Sequence, residues 1–340
     1  MFSLYLFSKY RSELMGIATI LIIVCHAPQY GVTMPQWIKT IISNGGFGVD
    51  IFLFLSGMGM YNSYKFNNIK KKGLLYWYLK RYLRIIIPYI LIVAPILFWN
   101  PWNIERFFLP TIIELSGFGS IVGHGSLWFI SCILILYLIT PLLFIPLESK
   151  NKWLWTILFS IISLLYAYLP PITNIWHFML QRWPSFFLGF ALSQDIKERH
   201  TALIKIFFIL PLILYIVLYI SNHVLETHFS LFLFQGISML TLFTLILDKI
   251  KNIHLNAFLS FIGTISLESY ITNEYVLRAL TTFSWQINGY NINSGNWTLY
   301  LGGTIICIAI SYIVNKISIK LNQLLQINAE FNLQMQQNSD

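Results

Sequence analysis

Apolar runs long enough to cross a bilayer recur along the whole chain, and no other feature constrains its fold as strongly. A transmembrane helix needs about 20 largely apolar residues. Ten candidates fall at roughly 14–31, 46–64, 82–99, 125–146, 153–170, 178–194, 202–221, 229–247, 257–280 and 296–315. Pro184 and several polar residues interrupt the sixth. Only 10% of the residues are charged, against about 25% in a soluble domain, too few to coat a surface facing water. The expected fold is all-α and membrane-integral, a single bundle of about ten transmembrane helices.

Basic residues orient this bundle. When the spans alternate, Lys39, Arg106, Arg182 and Arg278 fall on one side, and the other 18 of the 22 Lys and Arg fall opposite. The excess marks the cytoplasmic face, so both termini are expected there, which requires an even number of spans. The net charge of +9 is then a topology signal spread thinly between apolar runs, not a nucleic-acid surface. Cys25, Cys132 and Cys307 lie singly inside apolar runs and read as small buried hydrophobes, neither a disulfide framework nor a metal site. The first run lacks a small-x-small cleavage site behind it, so it reads as a retained helix. No repeat or linker divides residues 1–318, and 319–340 reads as a short polar cytoplasmic tail with some amphipathic helix.

Ionisable residues inside a membrane are costly and mark function by default. In "RSELMGIATILIIVCHAP" (11–28), Arg11 and Glu13 form a collar at the cytoplasmic start. His26 comes near the outer end, roughly 8 Å deep at about 1.5 Å per residue. In "GGFGVDIFLFLSG", Asp50 lies roughly 6 Å below the same face. Packed antiparallel, the two helices bring these groups to one level, where a carboxylate favours the protonated imidazole that a general base becomes. Two readings stay open, a His26–Asp50 pair and a structural histidine near the interface. Cys25 points about 100° away from His26, so a Cys–His nucleophile pair is not expected.

Other polar groups reach the outer half: His124, Ser126 and Trp128 in "GHGSLWFIS", then His177 and Arg182 in "HFMLQRWPSFFLGF". The ninth run, "FIGTISLESYITNEYVLRAL", adds Glu268 near mid-membrane, with Asn273 and Glu274 further out. Singly, Trp128 reads as an interface residue, Arg182 as a snorkelling anchor and Asn273 as a helix–helix hydrogen bond. Together they point to a polar cavity open outward. On the cytoplasmic side, "KKKGLLYWYLKRYLRIIIPY" sets Arg81 and Arg84 on one helix face beside Lys80, Tyr76, Trp77 and Tyr78. That cluster suits phosphate and nucleobase recognition, or acidic lipid headgroups.

Six ordered pieces resemble acyltransferase family 3, integral-membrane enzymes that acylate sugars and other acceptors. "MGIATILIIVCH" resembles the family's first helix, ending in His26. "GFGVDIFLFLSG" resembles its second, with Gly48, Val49, Phe52, Ser56 and Gly57. "KRYLRIIIPY" resembles its Arg-x-x-Arg segment with Arg81, Arg84 and Pro88. "SLWFISCILILYLITPLL", "RWPSFFLGF" and "GTISLESYIT" resemble its fourth-helix, Arg-x-Pro-x-Phe-x-x-Gly and late Gly-x-x-Ser-Leu patterns. Two positions depart: Met15 stands where many members have Arg, with Arg11 one turn back, and Asn273 stands where many end the late motif in His.

The resemblance implies acyl transfer, most simply of acetyl, from cytoplasmic acyl-CoA as co-substrate, with no bound cofactor or metal. It implies catalytic groups at His26 and Asp50 with Arg11 and Glu13, and acyl-CoA phosphates on Lys80, Arg81 and Arg84. Ser56, His124, Ser126, Trp128, Arg182, Glu268 and Asn273 would line the acceptor cavity, and Ser56, Ser126 or Trp128 would supply an oxyanion donor. The implied acceptor is a sugar or polysaccharide at a bacterial cell membrane, and membrane lipids surround the chain. Ending at 340, the chain is expected to lack the extracytoplasmic hydrolase-like domain fused to some members. A transporter or flippase for a lipid-linked saccharide is the competing reading, although the inverted repeats and paired broken helices of transporters are not visible. A non-catalytic membrane domain of the same architecture is a third.

Overall fold

A computed structural model describes residues 1–66, 73–99, 108–123, 127–168, 174–225, 230–278, 285–287, 290–292 and 297–337. Every apolar run meets helix, so the all-α membrane class holds. Among the described residues, five helices are long and apolar enough to cross a membrane: Gln36–Phe66, Trp128–Glu148, Lys205–Val224, Phe232–Ile250 and Trp297–Leu325.

The remaining runs depart from a simple span for local reasons. Arg11–His26 is 16 residues long and stops before Pro28, which cannot continue a helix. Leu74–Trp99 begins well before the apolar run expected at 82–99 and carries Lys80, Arg81 and Arg84 within it. The sixth run is two short helices, Asn174–Leu180 and Trp183–Ala191, with Arg182 as the N-cap of the second and Pro184 in its first turn, where proline lacks only an N–H that has no helical partner anyway. The ninth divides into Ile253–Thr264, Ser266–Thr272 and a π-helical turn, Asn273–Leu277. The last helix, Trp297–Gln337, runs 41 residues and continues past 318 into the expected tail.

Two compact units divide the chain. The first comprises Met1–Cys25, Trp37–Ser63 and Thr140–Ser266; the second comprises His26–Gln36, Tyr64–Ile139 and Leu267–Asp340.

Glycine sets the packing of the first unit. A Cβ on Gly57 would sit 2.2 Å from the Phe186 carbonyl oxygen, and a Cβ on Gly189 would sit 2.0 Å from that of Phe54. Each of the two helices thus presses its backbone onto the other's glycine. The same reciprocity joins Arg11–His26 to Ile253–Thr264, where a Cβ on Gly16 would meet Leu259 O at 2.0 Å and one on Gly263 would meet Ser12 O at 1.9 Å. Lipid tails are as apolar as leucine, so helices in a bilayer associate through close packing, and small residues permit it. At the chain's start, Phe2–Ser3 pairs antiparallel with Thr201–Ala202.

In the second unit, Leu74–Trp99 packs along Trp297–Gln337 and against the kinked segment Glu114–Phe118. The kink is at Gly117, whose φ of +83° favours glycine. A Cβ there would also lie 2.7 Å from Leu134 Cδ1. A small hairpin pairs Trp285–Ile287 with Tyr290–Ile292.

Candidate active site

His26 closes its helix and is half-buried. Its Nδ1 faces Asn273 Oδ1 at 2.9 Å. A carboxamide oxygen only accepts, so it takes the Nδ1 proton, and the lone pair of a neutral His26 then lies on Nε2. Asn273 is 1% exposed and opens the π-helical turn. Such turns recur at functional sites because an extra residue re-aims the side chains around it.

Three successive residues of this turn hold two other segments, the turn at 26–30 and the kinked segment at 114. Asn273 holds His26. Glu274 accepts the Tyr30 hydroxyl at 2.9 Å through Oε2 and Arg278 Nη1 at 3.1 Å through Oε1. Tyr275 donates to Glu114 Oε1 at 2.5 Å, on the kinked segment. Tyr30 Oη also lies 3.4 Å from Asn273 Oδ1, whereas Asn273 Nδ2 has no partner among the described residues. The amide therefore acts through its oxygen. Tyr30 and Glu114 were not foreseen; a tyrosine just past a helix end and a glutamate between two apolar runs carry no chemical signature of their own.

Asp50, expected to orient that ring, has partners of its own within the first unit. Its Oδ2 accepts Arg182 Nη1 at 2.5 Å and its Oδ1 accepts Ser185 Oγ at 2.9 Å. Arg182 also donates to Gly46 O at 3.0 Å, and its guanidinium lies 3.8 Å from the centroid of the Phe232 ring. Asp50, Arg182 and Ser185 are 1%, 6% and 3% exposed. Gly236 permits this depth, since a Cβ there would lie 2.5 Å from Asp50 Cβ. The orienting carboxylate of the sequence reading is here half of a buried ion pair, and the snorkelling arginine is the other half. A charge taken out of water is held by pairing it and satisfying its remaining lone pairs. Ser185 escaped notice, although it stands one helical turn from Arg182.

The other expected residues divide between the units. In the first, Arg11 Nη2 reaches Leu55 O at 3.4 Å beside Gly59, while Glu13 and Ser56 are half-buried. Cys25, next to His26 in sequence, donates to Ser43 O at 3.3 Å, as a structural cysteine does. In the second, half-buried Trp128 meets Phe129 edge-on with centroids 6.2 Å apart, and Phe129 meets Tyr270 at 5.4 Å. Glu268 accepts Asn315 Nδ2 at 3.0 Å. Lys80 and Arg81 are half-buried and Arg84 is exposed. Trp77 is buried edge-on against Tyr64 and Tyr78, so it packs the helix and offers no open face to a nucleobase. His124 and Ser126 lie outside the described residues.

The second unit therefore contains an imidazole of fixed orientation, a carboxylate–phenol network behind it and a basic helix. The first contains a closed ion pair among crossed helices. A family model described as an acyltransferase domain, that of acyltransferase family 3, matches residues 14–316. No curated protein and no solved structure matches the chain at the level taken as significant. The matched span covers nearly all of the helical body, including both networks. The chain belongs to acyltransferase family 3, a family of membrane acyltransferases.

Proposed function

We propose that this protein transfers an acyl group, acetyl in the simplest case, from cytoplasmic acyl-CoA to a hydroxyl of a cell-surface or lipid-linked sugar at the plasma membrane. The observation that carries the reading is the His26 Nδ1–Asn273 Oδ1 contact at 2.9 Å in a chain of this family. It leaves Nε2 as the basic nitrogen, the state in which a general base begins.

In the proposed step the sugar hydroxyl oxygen attacks the thioester carbonyl carbon while its proton passes to His26 Nε2. The tetrahedral intermediate then expels the CoA sulfur, which takes the proton from the imidazolium, so products are an ester and a free thiol. Asn273 fixes the ring but, being neutral, adds no charge to favour the imidazolium. That leaves the base to work through position, which in a preorganised site is a large share of the barrier. Lys80, Arg81 and Arg84 take the CoA phosphates; guanidinium groups suit them because they form paired hydrogen bonds.

Purified protein in detergent, given radiolabelled acetyl-CoA and a sugar acceptor, tests this through ester formation and thiol release. His26→Ala should abolish both. Wild-type rates in that variant would overturn the base assignment, and absence of thiol release from the unaltered protein would overturn acyl transfer from CoA.

A further inference from the structure

A second feature lies in the first unit and takes no part in the proposed chemistry. A cavity of about 730 Å³ lies against the Lys205–Val224 and Phe232–Ile250 helices, within the range of about 300–1,000 Å³ of small-molecule sites. Its wall is mainly apolar and includes Leu188, Leu192, Phe207, Leu214, Leu233 and Ile237. At one end the lining turns polar, with Asp195, His200 and Thr201. The Lys205–Val224 helix turns its apolar residues away from the protein: Ile213, Val217 and Ile220 are 51%, 55% and 54% exposed. In a membrane protein such a face meets acyl chains, so hydrocarbon is the medium beside the cavity.

The polar end is ionic and ordered. Lys152 Nζ pairs with Asp195 Oδ2 at 2.6 Å, and His200 stands between Asp195 (Nδ1, 3.3 Å) and Glu198 (Nε2, 3.2 Å). Arg199 holds a left-handed φ of +58°, rare for a side-chain-bearing residue, with its guanidinium 4.6 Å from the Tyr5 ring centroid. Strained backbone persists only where its surroundings hold it, and it concentrates at binding sites. Lys152, Arg199 and Lys205 stand next in the chain to the lining residues Trp153, His200 and Ile206 and outnumber Asp195 and Glu198, leaving an excess of positive charge.

We propose that the cavity holds one acyl chain of an anionic glycerophospholipid, with the lipid phosphate at the Arg199–Lys205 end. An apolar slot beside hydrocarbon, ending in a basic cluster, matches an amphiphile with one tail inside and an anionic head outside. The lipid is a resident partner of the first unit, independent of the acyl-transfer reading.

Protein extracted in mild detergent and examined by native mass spectrometry should retain one glycerophospholipid per chain. On exchange, phosphatidylglycerol should be retained at least tenfold better than phosphatidylcholine. Leu214→Trp and Ile237→Trp fill the slot and should lose the lipid; Arg199→Gln with Lys205→Gln should keep a lipid but lose the preference. Equal retention by the filled variants, equal retention of the two lipids by unaltered protein, or a free fatty acid in place of phospholipid would each overturn the proposal. Should the filled variants not fold, dibrominated phosphatidylglycerol should quench the Trp153 emission of the otherwise unaltered chain, read as the difference from Trp153→Phe, more than dibrominated phosphatidylcholine does. Equal quenching would overturn the proposal as well.

Discussion

The two units solve the same problem, polar groups among apolar helices, in opposite ways. The first closes its charges upon themselves: Asp50, Arg182 and Ser185 satisfy one another beneath Phe232, and the helices around them meet at reciprocal glycine contacts. The second strings its polar groups out in a network from His26 through Asn273, Tyr30 and Glu274 to exposed Arg278. A closed pair is suited to holding a shape. An imidazole whose second nitrogen has no partner among the described residues is suited to moving a proton. A buried charge is therefore not by itself a sign of catalysis, and what its partners leave available is the better guide.

Substitutions can break or sharpen this contrast. The largest effect on turnover is expected from His26→Ala, a loss of about 10²–10⁴-fold in kcat, the usual span for a general base, with the melting temperature in detergent unchanged. A matching loss of stability would assign His26 to the scaffold instead. Next comes Arg182→Ala, which strands Asp50 in the interior and should cost about 3–5 kcal/mol of stability. Thermal unfolding would show it, and Asp50→Asn in the same chain should restore part of the loss. If Arg182→Ala folds as well as the unaltered protein while kcat collapses, the ion pair belongs to the chemistry and the division between units fails.

Asn273→Ala should follow, lowering kcat by about tenfold through loss of one hydrogen bond of roughly 1–1.5 kcal/mol. Asn273→Asp, which keeps an acceptor oxygen for the ring, should recover activity relative to Asn273→Ala, read as kcat. A smaller effect is expected at the basic helix: Arg81→Gln with Arg84→Gln should raise the KM for acyl-CoA severalfold at constant kcat, since phosphate contacts far from the reacting atoms bind ground state and transition state alike. An unchanged KM would return these arginines to lipid headgroups. Cys25→Ala should change neither activity nor stability beyond about 1 kcal/mol, as a weak thiol donor contributes little.

Much of the fold was legible because apolar length is a local property. Each run in the sequence meets helix, and the basic stretch at 80–84 is helical as its spacing required. Helix ends were less legible. The breaks at Arg182 and at Ile265, and the π-helical turn after Thr272, depend on which neighbour receives each backbone group. The glycines at 16, 57, 189 and 263 stood out as motif residues, but nothing local says that they face one another's helices in pairs. At the site, His26 and Asp50 were visible as costly groups at similar depth, and depth alone suggested pairing them.

By itself, then, the sequence determined that this chain lives in a membrane, that it is helical, that its motifs are those of acyltransferase family 3, and that His26, Asp50, Arg182 and Asn273 needed explanation. These follow from hydropathy, which is summed along the chain, and from the cost of polar groups in hydrocarbon. Only the tertiary structure decided who answers whom: Asn273 for His26, Arg182 and Ser185 for Asp50, 247, 132 and 135 residues apart in the chain. Hydrogen bonds and ion pairs are short-ranged and directional, so they are fixed by the rotation and kinking of packed helices, which no periodicity along the chain encodes.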